Sequence, residues 1–223
     1  MLIIFDLDDT LIETSLSITP NVLKKAFFRA IREGLEVKNI EKELEVLFKL
    51  DKKSSSSEET LKKFFIKKRS IKFFEIAKKE LFSLDDQINI LPTKNSLKVL
   101  KELKKFHKLG LVTIGDREVQ MKKMKKAGID TSFFSIIDVL KNDKMISYKK
   151  ILNMHKKEKI LVCGDRIDKD LKPAKFLKFI TVHFVNGRGI NQIDKEQVVD
   201  YKIKDLKEIF KIIGENKWLQ VIN

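Results

Sequence analysis

Four apolar residues, Leu2-Ile3-Ile4-Phe5, run directly into Asp6-Leu7-Asp8-Asp9-Thr10-Leu11. The apolar run reads as a short buried strand. Two carboxylates two residues apart, with a hydroxyl two further on, then stand where that strand ends. A carboxylate is a poor nucleophile in water. It attacks phosphate only when it is positioned and when a metal neutralises the approaching charge. The second carboxylate can then act as acid and base. The competing structural reading is a solvated acidic turn, so the rest of the chain has to choose between them.

From Thr14 to about Leu84 the pattern is helical throughout. Val22-Leu23, Ala26-Phe27 and Ala30-Ile31 make an amphipathic stripe, which Leu44, Leu47 and Phe48 continue. Ser54-Ser55-Ser56-Ser57 interrupts it, and Ser56-x-x-Glu59 fits a capping box. Leu61, Phe64-Phe65 and then Phe73-Phe74, Ala77, Leu81-Phe82 mark two further helices. Such an insertion is long for a connection between a strand and the next element. Residues 14–85 are therefore expected to form an all-helical cap domain, with 1–13 and 86–223 as the core.

After Pro92 the chain alternates. Helices are expected over Ser96–His107, Glu118–Ala127, Tyr148–His155, Leu171–Leu177 and Asp205–Ile213. Strands are expected over Gly110–Ile114, Phe134–Leu140, Lys159–Gly164 and Ile180–Val185. This alternation implies an α/β fold with a doubly wound parallel, Rossmann-like sheet. In such sheets ligands bind at the carboxyl ends of the strands.

The candidate residues all fall at those ends. Thr113 and Gly115, in Gly110-Leu-Val-Thr-Ile-Gly-Asp116, offer a hydroxyl and an amide to phosphate oxygens. Leu140-Lys-Asn-Asp-Lys-Met145 offers an ammonium that would offset the charge of nucleophile and phosphoryl group. Val162-Cys-Gly-Asp165-Arg-Ile-Asp-Lys-Asp170 is an apolar strand ending in acids. Magnesium prefers six oxygen ligands and retains several waters. Asp6, the main-chain carbonyl of Asp8 and Asp165 would supply three. Several carboxylates in one pocket repel each other without a cation. Mg²⁺ suits this set better than Zn²⁺, because the chain offers no Cys or His cluster. His107, His155 and His183 are isolated and read as surface or packing residues.

The combination resembles the haloacid dehalogenase-like (HAD) superfamily with a type-1 cap, over essentially the whole chain. The carriers are Asp6-x-Asp8-x-Thr10, Thr113-Ile-Gly-Asp-Arg-Glu-Val-Gln120, Gly128-Ile-Asp, Phe133-Phe134, Gly164-Asp-Arg and Gly187-Arg-Gly189. The resemblance implies Asp6 as nucleophile, Asp8 as acid/base, Thr10 as a positioning and phosphate-site residue, and Thr113 as phosphate donor. It implies Asp165 as a metal ligand with Asp6 and Asp8, and Asp170, the last carboxylate of Gly164-Asp-x-x-x-x-Asp170, as a metal-site residue acting through water or by orienting other groups. Asp168 matches less well than Asp170. The family's fixed spacing around its motif lysine is loose here; Lys144 is the expected residue, because Tyr148 and Ile151-Leu152 follow it as a helix does in relatives, and Lys141 is the fallback. Ile114 stands where relatives carry Asn.

The expected function is Mg²⁺-dependent hydrolysis of a small phosphorylated metabolite through an aspartyl-phosphate. The helical domain would close to exclude water, with Glu13 nearest the site. A phosphomutase of the same superfamily is the nearest rival. A 2-haloacid dehalogenase fits less well, because that chemistry has no need of Asp8.

Net charge is +15, which raises nucleic acid or an acidic protein as a partner and a binding module as a rival function. Only six of the 47 basic residues are arginines, however, and the lysines are spread along helices. A solvated lysine-rich surface is the expectation, without nucleic acid. No apolar run is long enough for a transmembrane helix, and the N-terminus has no basic start or small-residue cleavage site of a signal peptide. A lone Cys163 fits a reducing cytoplasm.

Overall fold

The structure is a computed structural model, and it describes residues 1–82 and 87–214. The expected domain boundary at 85/86 lies outside the described residues. The chain divides into two compact units. One comprises Met1–Thr14 with the described residues from Ile90 onward, and the other is Ser15–Asn89.

The first unit is built on a six-stranded sheet in the order β3-β2-β1-β4-β5-β6. Its strands are β1 (Leu2–Phe5), β2 (Lys108–Ile114), β3 (Ile136–Leu140), β4 (Ile160–Gly164), β5 (Ile180–Phe184) and β6 (Tyr201–Ile203). Every pairing is parallel. β1 lies between β2 and β4, with Ile4 opposite Gly110 on one side and Val162 on the other. All four β1 residues are buried, as a strand covered on both faces requires. Each such side chain contributes roughly 1.5–3 kcal/mol of burial. Leu2, Ile4, Val112, Ile160 and Val162 pack with Tyr148, Ile151, Leu171, Ala174 and Phe179 into one continuous core.

The helices of this unit are α5 (Ser96–Leu103), α6 (Arg117–Lys126), α7 (Met145–Met154), α8 (Lys172–Phe176) and α9 (Ile209–Ile212), numbered after four in the other unit. Helix α7 begins three residues before the expected Tyr148, which makes Lys144 its N-terminal flanking residue. Helix α5 stops at Leu103 rather than His107. Strand β6 had no counterpart in the sequence reading.

The second unit holds α1 (Thr19–Arg32), α2 (Ile40–Asp51), α3 (Ser57–Lys67) and α4 (Phe74–Lys79). Pro20 opens α1, where its missing N–H and fixed φ do no harm. The apolar stripe converges as expected from its spacing. Leu23, Ala26, Phe27, Leu47, Leu61, Phe64, Phe65 and Ala77 form one core, with Phe27 and Phe64 edge to face at 5.7 Å. At α3 the Ser56 hydroxyl accepts from the Glu59 amide. The Glu59 carboxylate returns to the Ser55 amide, one residue earlier than a capping box would place it. Among the described residues no helix is long and apolar enough to cross a membrane.

Candidate active site

Strand order reverses at β1, which has β2 on one side and β4 on the other. Loops leaving the carboxyl ends of the strands at such a reversal diverge and open a crevice. Asp6 is the first residue after β1, and its amide continues the ladder by donating to the Cys163 carbonyl at 3.0 Å. Asp165 is the first residue after β4. Asp170 comes from the π-helical turn Ile167–Leu171 that follows. Carboxylate oxygens of Asp6, Asp165 and Asp170 lie within 4.8 Å of one another, and all three residues are buried. Asp170 reaches back over Gly164, where a Cβ would sit 2.3 Å from its Oδ2, so position 164 needs glycine.

Lys144 closes the cluster. Its ammonium donates to Asp6 Oδ1 at 2.5 Å and pairs with Asp170 Oδ1 at 2.7 Å, with 2% of its side chain exposed. Lys141, the fallback, is exposed. Burial pushes the Asp6 carboxyl up to about 7; Lys144 opposes that, while Asp170 and Asp8 add to it. Burial and the repulsion of Asp170 and Asp6 hold Asp165 well above the ordinary carboxylate range. Burial would lower the Lys144 ammonium, but the Asp170 and Asp6 carboxylates outweigh it and keep the lysine charged. Three buried carboxylates face one ammonium, in a donor set made only of oxygen. That chemistry fits a hard divalent cation such as Mg²⁺.

Asp8 points elsewhere. Its Oδ1 accepts from Thr14 Oγ1 at 2.5 Å and from Lys123 Nζ at 2.8 Å, and its Oδ2 accepts from Gln120 Nε2 at 2.8 Å. Burial opposes ionisation of this carboxyl most strongly, but Lys123 and the three hydrogen bonds together hold it below its ordinary value. Its carboxylate therefore stands apart from Asp6, Asp165 and Asp170. Gln120 Nε2 also donates to Thr113 Oγ1 at 2.7 Å, so the Thr113 hydroxyl keeps its own hydrogen to donate.

One expectation needs correction. The Gly115 amide does not face a phosphate site, because it donates to the Leu140 carbonyl at 2.7 Å. The glycine instead makes room for Gln120, whose side-chain atoms lie 3.1–3.4 Å from where a Cβ would be. Thr10 is fully buried, and its hydroxyl accepts from the Asp165 amide at 3.1 Å. It ties the loop after β1 to the loop after β4. Asp168 is half exposed and pairs with Arg166, away from the acidic cluster.

His183 is not an idle packing residue. It is buried, and its Nε2 lies 2.9 Å from the Asp165 carbonyl. A carbonyl accepts only, so that nitrogen carries the proton. Thr10 and His183 thus grip the two ends of one residue, the Asp165 amide and the Asp165 carbonyl. Asn186 donates to the Asp9 carbonyl at 3.0 Å and to Glu13 at 3.3 Å. Gly187 and Gly189 let this loop pass against Asp9 and Asp165, where Cβ atoms would come within 2.2 and 1.9 Å. Gln120 and Lys123 were also missed as site residues, although their spacing of three places them on one helix face.

A sequence model of the family described as haloacid dehalogenase-like hydrolase matches residues 1–177. Over 229 aligned residues the chain is 29% identical to a glyceraldehyde 3-phosphate phosphatase of Methanocaldococcus jannaschii, covering 96% of this chain and 97% of that one. Two solved structures share the fold. A predicted phosphoglycolate phosphatase from Haemophilus somnus superposes with a TM-score of 0.73 at 16% identity, covering 95% of this chain and 97% of that one. YfnB from Bacillus subtilis, described as a HAD-hydrolase and bound to magnesium, gives 0.66 at 15% identity, covering 96% and 98%. The six parallel strands, the acids at their carboxyl ends and the match over residues 1–177 place this chain in the haloacid dehalogenase-like hydrolase family.

Proposed function

We propose that the protein is a Mg²⁺-dependent phosphomonoester hydrolase working through an aspartyl-phosphate on Asp6. The observation that carries this reading is the division of carboxylates. Asp6 lies in the buried cluster with Asp165, Asp170 and Lys144, whereas Asp8 is turned toward Gln120 and Lys123. One carboxylate is thereby set up to attack and the other to move a proton.

Asp6 attacks phosphorus in line, and Asp8, which must first take up a proton against the pull of Lys123, gives it to the departing alcohol. Asp8 then takes a proton from the water that cleaves the acyl phosphate, which returns Asp6. Lys144 holds Asp6 in place and offsets charge as the phosphoryl group approaches, and the Thr113 hydroxyl donates to a phosphoryl oxygen. Asp6, Asp165 and Asp170, with the main chain of Asp8, would hold the ion. The chemistry such an ion supplies is neutralisation of phosphoryl charge and of the repulsion among its ligands.

The match to the Methanocaldococcus enzyme along nearly the whole chain supports a small substrate, with three-carbon sugar phosphates as first candidates. Ser15–Asn89 takes the part of a cap in this reading, on its insertion between β1 and β2. The lone, buried Cys163 suits a reducing compartment such as the cytoplasm. Phosphate release from a panel of phosphorylated metabolites, with Mg²⁺ and with chelator, tests the proposal. Glyceraldehyde 3-phosphate and its neighbours should be turned over only with the metal. Equal activity in chelator would overturn it.

A further inference from the structure

We propose that Lys123 is a positioning residue that keeps the acid–base carboxylate, Asp8, out of the cation cluster and aimed at the reacting phosphoryl group. The inference rests on the reading of Asp8 given above. Asp8 follows Asp6 by two residues, and their charges repel. A carboxylate so near a cation site has an obvious alternative, which is to turn inward as an additional ligand. There it could serve neither the leaving alcohol nor the attacking water.

Three donors oppose that turn, and they are not equivalent. Thr14 contributes a neutral hydroxyl. Gln120 has only two amide hydrogens, and its Nε2 lies within hydrogen-bond reach of Asp8, of Thr113 Oγ1 and of the Ile114 carbonyl. Lys123 alone brings a charge, at 2.8 Å, with 12% of its side chain exposed. A charge-assisted hydrogen bond is roughly twice as strong as a neutral one. Helix α6 is itself anchored for this purpose. It starts directly behind β2, and Asp116 accepts from the Val119 amide at 3.1 Å to cap it. Gln120 and Lys123 then sit within its first two turns on one face. The site therefore has two lysines with separate duties. Lys144 balances Asp6 and Asp170, and Lys123 balances Asp8.

The test compares wild type with Lys123→Met, Lys123→Gln, Lys123→Arg and Asp8→Asn on glyceraldehyde 3-phosphate and on p-nitrophenyl phosphate. General acid–base catalysis is worth about 10²–10⁴ in rate, so Lys123→Met should lower kcat about 100-fold on the sugar phosphate while KM changes less than about threefold. Lys123→Arg should recover about tenfold over Lys123→Gln, since it restores the charge-assisted bond. With p-nitrophenyl phosphate, whose leaving group needs no proton, Lys123→Met should accumulate covalent phosphoenzyme, because only the water step then needs Asp8. A kcat within about threefold of wild type for Lys123→Met, alongside an inactive Asp8→Asn, would overturn the inference and leave the mechanism standing. So would equal losses in Lys123→Arg and Lys123→Gln, a comparison that serves if Lys123→Met does not fold. Full turnover by Asp8→Asn would overturn the acid–base reading, and this inference with it.

Discussion

The Lys144 ammonium lies 2.5 Å from Asp6 Oδ1, with 2% of the lysine side chain and 9% of the aspartate side chain exposed. A charge this deeply buried is tolerated only when it is paired. Lys144 also holds Asp170 at 2.7 Å, so a single ammonium offsets two carboxylates. Lys144→Met should therefore reduce kcat/KM by about 100-fold or more, the scale of a lost electrostatic contact at a reacting centre. Lys141→Ala, at an exposed position, should stay within about twofold of wild type. Steady-state kinetics on both variants checks this. The reverse order would move the role to Lys141.

The raised carboxyls make stability depend on pH and metal together. Asp6 moves from 3.8 to about 7 on folding, so the native state binds more protons than the unfolded state across that window. In chelator, stability should be greatest below pH 4 as far as this group is concerned, and should fall as pH rises toward 7. Mg²⁺ favours the ionised carboxylates and should cancel the fall. Thermal melts at pH 5, 6, 7 and 8 should show the gain from Mg²⁺ growing with pH. A gain that shrinks with pH would contradict the assignment.

His183 should set the metal response without touching the metal. Its ring donates to the Asp165 carbonyl, and groups that orient a ligand typically cost 10–100-fold in metal affinity when removed. His183→Phe should move the Mg²⁺ activation midpoint about tenfold higher with kcat at saturating metal largely kept. His183→Gln, which retains an N–H donor, should lie between. An unchanged midpoint would leave His183 a packing residue.

Gly187 should resist substitution. Its φ of +49° is one that side-chain-bearing residues rarely adopt, and a Cβ there would meet Asp9 Cγ at 2.2 Å. Gly187→Ala should cost about 1–3 kcal/mol, the usual penalty for overpacking a fixed site. Urea unfolding measures it. A stability equal to wild type would mean that the loop carrying Asn186 can shift without cost.

Much of the core was legible because apolar runs and acids alternate so sharply. Leu2–Phe5 and Ile160–Gly164 are buried along their whole length, and each ends on an aspartate of the cluster. Strand β6 was not legible, since Tyr201-Lys202-Ile203 is three residues with only Ile203 buried. Its strand state comes from pairing with β5, which no local pattern records. Lys123 was hidden by composition. Among 41 lysines one half-buried cation has no signature, and only the fold brings it across to Asp8. Gly115 misled for a related reason. Sequence gives the residue type near a site but not which partner claims its hydrogen bond. The Leu140 carbonyl claims the Gly115 amide.

The central claim is that Asp6 becomes phosphorylated. The direct measurement is an acid quench of the Asp8→Asn variant with p-nitrophenyl phosphate and Mg²⁺, followed by peptide mapping of the trapped phosphoryl group. Burial pushes Asp6 toward its neutral form, and Lys144 keeps a carboxylate available for attack. The account predicts a burst of p-nitrophenol matching the enzyme, with the phosphoryl group on Asp6 and none in Asp6→Asn. Phosphate on any other residue, or phosphate release by Asp6→Asn at the wild-type rate, would contradict it.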